Sequence, residues 1–272
     1  MHEGLLPAGH AAAHPRLRLH RAFRSRYLPD ARDVTVYLPP CYPQRPDWAY
    51  PVLYLHDGQN LFDGETSYIR GRTWQVGEHA DAAIEAGEVE PLVIVGVHHA
   101  GERRLAEYTH ERNAQMIGGE ADAYGQLLTH ELMPWIATQY RVRTEREATG
   151  LGGSSLGGLV TLYFGLRHPE RFGRLAALSP SVWWNEKSIL GYLNKRVPAL
   201  AERPRLWLDV GDREGHHALR DVEHLARQLA VNGWKPGETL HFERIPGGTH
   251  DETSWAARVR PMLKFLFPAG TV

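Results

Sequence analysis

Apolar residues fall along the chain in two alternating rhythms. Short runs in which nearly every position is apolar, at 51–56, 92–98, 148–152, 175–179, 205–210 and 240–245, predict buried strands. Longer stretches in which apolar residues return every three or four positions, at 74–86, 121–140, 156–167, 217–231 and 254–267, predict helices. Two further runs, 17–26 and 33–39, predict an N-terminal antiparallel pair. Strands and helices that follow one another in turn give an α/β architecture, a mostly parallel central sheet with helices on both faces. Ligands of such sheets gather at the carboxyl ends of the strands, so the loops just beyond them are the places to look for chemistry.

The chain has 272 residues and no linker-like tract, low-complexity segment or repeat, so a single domain over 1–272 is expected, with 1–30 as an N-terminal extension and edge strand. Its 31 basic residues stand against 32 acidic ones, which gives no electrostatic reason for nucleic acid or an anionic membrane as a partner. A neutral or modestly charged small substrate fits better. Residues 1–20 contain His, Pro, Arg and Glu but no continuous apolar core, so neither a signal peptide nor a membrane span is expected there. Cys41 is the only cysteine; no internal disulfide can form, and a cytoplasmic protein is expected.

Gly153-Ser154-Ser155-Leu156-Gly157 joins a short strand to an apolar helix and has the form of a nucleophile elbow. Such a turn strains its central residue, and the neighbours two places on either side must be tiny, which makes Ser155 the centre and not Ser154. The helix that starts at Leu156 aims backbone N–H groups and its positive dipole end at the place where an oxyanion would form. The pattern points to a hydrolytic or acyl-transfer enzyme.

Near the C-terminus, a strand-like stretch passes through Gly247-Gly248 to His250 and into an amphipathic helix, which is where a general base belongs. Between serine and histidine, the strand 205–210 ends at Gly211 with Asp212 and Glu214 just beyond, and a carboxylate there can hold the imidazole in the right tautomer and stabilise its cation. The order Ser, acid, His is that of an α/β-hydrolase. The loop after the early strand 52–56 breaks at Asp57-Gly58 and offers the second oxyanion donor, so the candidate N–H groups are those of Gln59 and Leu156. No phosphate-binding loop occurs, and the pairs His98-His99 and His216-His217 are not completed by cysteine or carboxylate spacing, so no metal and no cofactor is expected.

The motifs Leu-His-Asp-Gly-Gln-Asn-Leu-Phe (55–62), Val-Gly-Val-His-His-Ala-Gly-Glu-Arg-Arg-Leu-Ala-Glu-Tyr-Thr (95–109), Gly-Gly-Ser-Ser-Leu-Gly-Gly (152–158), Ser-Pro-Ser-Val-Trp-Trp-Asn (179–185), Val-Gly-Asp-Arg-Glu (210–214) and Gly-Gly-Thr-His (247–250) give the chain a resemblance to a known family. Over residues 30–268 it resembles the esterase group typified by enterochelin esterase, feruloyl esterases, S-formylglutathione hydrolase and the mycolyltransferases. The resemblance implies an α/β-hydrolase fold with Ser155 as nucleophile, His250 as general base and Glu214 as the acid; many relatives carry Asp at the last position. Chain geometry favours Glu214 too: Asp212 follows Gly211 too closely to turn back toward the histidine loop, and Glu214 has two more residues of chain and one more methylene. Gly-Ser-Ser-Leu-Gly departs from Gly-His-Ser-x-Gly, which disfavours the S-formylglutathione hydrolase branch.

The expected activity is therefore that of a carboxylic ester hydrolase working through an acyl-enzyme on a small-molecule ester. An acyltransferase, in which an alcohol replaces water, and a non-catalytic binding protein of the same fold are the alternatives. Trp183 and Trp184, and less directly Trp74, are candidates to line the substrate site, because pockets are rich in aromatic residues. Arg104, Glu107 and Tyr108 match the family's Arg-x-x-Glu-Tyr pattern, and the resemblance implies that they hold the oxyanion loop or touch substrate, with a structural ion pair or hydrogen bond the expected role.

Overall fold

The computed structural model describes residues 14–197, 200 and 202–270. Residues 1–13 of the expected N-terminal extension lie outside these. One sheet holds the strands β1 (Leu17–Phe23), β2 (Arg32–Tyr37), β3 (Val52–His56), β4 (Val93–Val97), β5 (Thr149–Ser154), β6 (Arg174–Leu178), β7 (Arg205–Gly211) and β8 (Leu240–Ile245). Their order across it is β1-β2-β4-β3-β5-β6-β7-β8. β2 runs antiparallel to both β1 and β4, and the pairs from β4 to β8 are parallel. Strands β3, β4 and β5 are buried along their whole length, which is why they read as continuous apolar runs, whereas edge strand β8 alternates.

The helices are α1 (Val76–Glu85), α2 (Arg104–Glu107), α3 (Ala121–Gln126), α4 (Met133–Gln139), α5 (Leu156–Arg167), α6 (Trp184–Arg196), α7 (His216–Val231) and α8 (Glu252–Leu266). α1 and α8 pack on one face of the sheet around Leu53, Leu55, Trp207 and Val259. α3 to α7 pack on the other, around Tyr54, Leu151, Phe164 and Leu208. Among the described residues no helix is long and apolar enough to cross a membrane.

Two segments differ from the pattern along the chain. The helix expected over 121–140 is one path whose middle, Leu127–Leu132, widens into a π turn. Pro134 lacks an N–H and its ring crowds the carbonyl four residues back, and the wider turn relieves both. Helix α6 is not foreshadowed, because Ile189 and Leu193 alone carry its buried stripe past the first residue. Its first turn is irregular, with Asn185, Glu186 and Lys187 at positive φ.

The chain passes from β3 to β4 on one side and places β5 on the other, so the strand order reverses between β3 and β5. A crevice opens at the carboxyl ends of strands at such a switch. The loops that follow β3 and β5 carry Gln59 and Ser155.

Candidate active site

Ser155 stands between β5 and α5 with φ 58° and ψ −122°, a conformation that costs a non-glycine residue about 1–3 kcal/mol. The fold holds it there by three backbone bonds: Ser155 N–H donates to Leu178 at 3.0 Å, and its carbonyl accepts from Leu159 and Ser181, each at 3.0 Å. The turn leaves no space for side chains beside it. A Cβ on Gly153 would lie 3.1 Å from the Gly157 carbonyl carbon and from His56 Cβ.

The loop after β8 brings His250 to this serine, with Nε2 2.9 Å from Ser155 Oγ. On the far side of the ring Nδ1 lies 2.7 Å from Glu214 Oε2. A carboxylate can only accept, so Nδ1 carries the proton and Nε2 is left to accept from the serine hydroxyl. Trp255 stands edge-on to the imidazole at 4.9 Å between ring centres and limits its rotation. Asp212 does different work: its Oδ1 accepts from Gly247 N–H at 2.8 Å and ties the histidine loop to the end of β7.

Glu214 is anchored through its other oxygen. Oε1 accepts from Ser179 Oγ at 2.6 Å and from Gly211 N–H at 2.7 Å. Burial works to raise its pKa, but hydrogen bonds from His250, Ser179 and Gly211 N–H outweigh that and hold it below the usual carboxylate range. Behind it Arg258, wholly buried in α8, donates to Asp209 at 2.7 Å and to Ser179 Oγ at 2.8 Å. The sequence assigns no role to Ser179, Asp209 or Arg258, although Ser179 opens the motif 179–185. The signal that could have found Arg258 is a charge on the apolar stripe of α8, between Trp255 and Met262.

The loop after β3 turns at Asp57, which takes the left-handed conformation at φ 57°, and continues as a single 3-10 turn, Gly58–Asn60. Glycine is required at 58, where a Cβ would lie 2.5 Å from the Gly96 carbonyl carbon. Asp57 is clamped by both arms of Arg104, at 2.7 and 2.8 Å, and its N–H donates to Tyr108 Oη at 3.2 Å. Burial opposes ionisation of Asp57, yet Arg104 holds its pKa below the ordinary value. Glu107, wholly buried, pairs instead with Arg32 at 2.7 Å. The first bond of the 3-10 turn runs from Asn60 N–H to Asp57, so the turn does not use the Gln59 N–H. Leu156 is the first residue of α5, and its N–H has no intrahelical acceptor.

The aromatic candidates divide. Trp183 is 56% exposed at the carboxyl edge of the sheet. Trp184 and Trp74 are not open to a ligand: Trp184 is buried with Nε1 donating to the Glu111 carbonyl at 3.0 Å, and Trp74 is buried against Trp255. Both were expected near substrate, and both are core, because the chain turns them inward where the loops cover them. Other large apolar side chains exposed on loops are Tyr68, Met116 and Ile117. Ser181, two residues before Trp183, places its Oγ 3.3 Å from Ser155 Oγ. Among the described residues no group of three or more His, Cys, Asp and Glu is arranged to hold a metal ion.

Residues 25–266 match the model of the Esterase family. The chain is similar to the ferri-bacillibactin esterase BesA of Bacillus subtilis, at 28% identity over 68% of this chain and 68% of that protein. It is similar as well to the iron(III) salmochelin esterase of Escherichia coli, at 30% identity over 83% of this chain and 52% of that protein. Among solved structures, the BES protein of Bacillus cereus superimposes with a TM-score of 0.76 over 97% of this chain and 99% of that one, at 21% identity. The fold is the α/β-hydrolase fold.

Proposed function

The chain belongs to the Esterase family and is a carboxylic ester hydrolase, and we propose that it cleaves its substrate through an acyl-enzyme on Ser155. The observation that carries this reading is the continuous path Ser155 Oγ to His250 Nε2 at 2.9 Å and His250 Nδ1 to Glu214 Oε2 at 2.7 Å. Ser155 attacks the ester carbonyl as His250 accepts its proton, Glu214 steadies the imidazolium, and the N–H groups of Gln59 and Leu156 receive the oxyanion. His250 then protonates the leaving alcohol. Water repeats the sequence, and the acid is released as Ser155 regains its proton.

Arg104 and Tyr108 serve this chemistry indirectly. By clamping Asp57 they fix the residue that opens the 3-10 turn, so that the Gln59 N–H is pre-aimed and costs no reorganisation during reaction. The strand order, a single sheet from β1 to β8, supports one catalytic domain.

For the substrate, the similarity to a ferri-bacillibactin esterase and a salmochelin esterase supports a siderophore ester. The exposed Trp183, two residues after Ser181, offers a flat surface for an aromatic acyl group. The test has two parts. A fluorophosphonate should label Ser155 and no other serine; label on Ser154, or near-normal turnover in Ser155→Ala, would refute the assignment. A hydrolysis panel of catechol siderophore esters, feruloyl esters and p-nitrophenyl alkanoates should show the highest kcat/KM for the first group.

A further inference from the structure

The turn that follows β6 touches both ends of the proposed catalytic path. Ser179 Oγ donates to Glu214 Oε1 at 2.6 Å, the acid end. Ser181 Oγ stands 3.3 Å from Ser155 Oγ, the nucleophile end, and Ser181 is 3% exposed. Its backbone is pinned on both sides, the N–H to the Ser155 carbonyl at 3.0 Å and the carbonyl to Trp184 N–H at 3.2 Å. Pro180, between the two serines, lies against α5, where a Cβ on Gly158 would come within 3.1 Å of it. A stiff turn therefore holds a second hydroxyl against the reacting oxygen.

We infer that Ser181 is a further catalytic residue, which donates a hydrogen bond to Ser155 Oγ and acts chiefly in the release of the acyl group. The inference rests on Ser155 being the nucleophile. With the Ser155 hydroxyl proton directed at His250 Nε2, the Ser155 oxygen is the acceptor and Ser181 the donor. At 3.3 Å this is a long, weak bond in the free enzyme.

The same donor meets three different acceptors during turnover. In the free enzyme it meets a hydroxyl oxygen, a good acceptor, so little is gained on going to the first transition state. In the acyl-enzyme it meets the bridging oxygen of an ester, a poor acceptor whose lone pair is delocalised into the carbonyl. When the second tetrahedral intermediate collapses, the bond from carbonyl carbon to Ser155 Oγ breaks and its electron pair goes to that oxygen. His250 delivers to it the proton taken from water, and Ser181 keeps its own. Negative charge growing on Oγ makes the bond from Ser181 charge-assisted, hence shorter and stronger. An interaction weak in the acyl-enzyme and strong in the transition state lowers that barrier and no other to the same degree.

The experiment compares acylation and deacylation in Ser181→Ala with p-nitrophenyl butyrate. Stopped flow reads acylation from the p-nitrophenolate burst, and quenched samples followed by peptide mass spectrometry read the decay of butyryl-Ser155. Deacylation should slow roughly ten-fold and acylation by less than about three-fold, so that butyryl-Ser155 accumulates. Ser181→Thr, which keeps the hydroxyl, should recover most of the loss. Equal slowing of both steps, the mark of a merely structural role, or unchanged deacylation would overturn the inference. Ser181→Cys, of similar shape and with a weak donor, gives the same comparison if the Ala variant does not fold. A butyryl group found elsewhere than on Ser155 in the unaltered protein refutes the nucleophile assignment itself, a result distinct from the other two.

Discussion

Glu214 Oε2 lies 2.7 Å from His250 Nδ1, and the two side chains differ sharply in exposure, 1% for the carboxylate and 44% for the imidazole. The carboxylate is thus fixed inside the protein and the imidazole is half open to the outside. Glu214→Gln should lower kcat about a thousand-fold or more, because a neutral amide can favour the wrong tautomer and does not stabilise the imidazolium. Asp212→Asn should cost far less, since an amide oxygen still accepts from Gly247 N–H. Steady-state kinetics of the two variants on one ester decide between them; a larger loss in Asp212→Asn would reverse the roles.

Arg258 donates to Asp209, Ser179 and Ser254 from a wholly buried position. Arg258→Met should destabilise the protein by about 3–5 kcal/mol, since it strands a buried carboxylate. Adding Asp209→Asn should return part of that loss. Urea unfolding of the two variants measures it, and a double variant no more stable than the single one would show that the pair is not the source.

The neighbours Trp183 and Trp184 should respond in opposite ways. Trp183→Ala should leave the melting temperature nearly unchanged and alter kcat/KM ratios between aromatic and aliphatic esters. Trp184→Ala removes a packed indole and its bond to Glu111, with an expected cost of about 3–5 kcal/mol. Calorimetry and a two-ester assay separate the effects.

His56 lies buried under the elbow, its Nδ1 2.9 Å from Tyr124 Oη, and burial pushes its pKa down to about 3. In the unfolded chain the same group titrates near 6.5. Between those values the unfolded state binds a proton that the folded state refuses, so stability falls with falling pH, by about 1.4 kcal/mol per unit from this one residue. The contribution is whole above pH 6.5 and is lost progressively toward pH 3. Denaturation midpoints from pH 7 to 4.5 should show this slope, and His56→Gln should flatten it; an unchanged slope would place the acid sensitivity elsewhere.

The sheet and the strained turn at Ser155 were legible in the chain because each has a local cause. A strand buried on both faces must be almost wholly apolar, as 52–55 and 93–97 are, and a strained turn must be flanked by residues as small as Gly153 and Gly157. What was not legible depends on contacts between residues far apart in number. Arg258 meets Asp209 across 49 positions and Ser181 meets Ser155 across 26. Neither pairing leaves a periodic trace, because a polar side chain's partner is set by where packing puts it. The tryptophans show the same limit. An aromatic residue serves core and binding surface equally well, and only the loop 109–120 packed over Trp184 turned one of two adjacent rings inward and left Trp183 in the open.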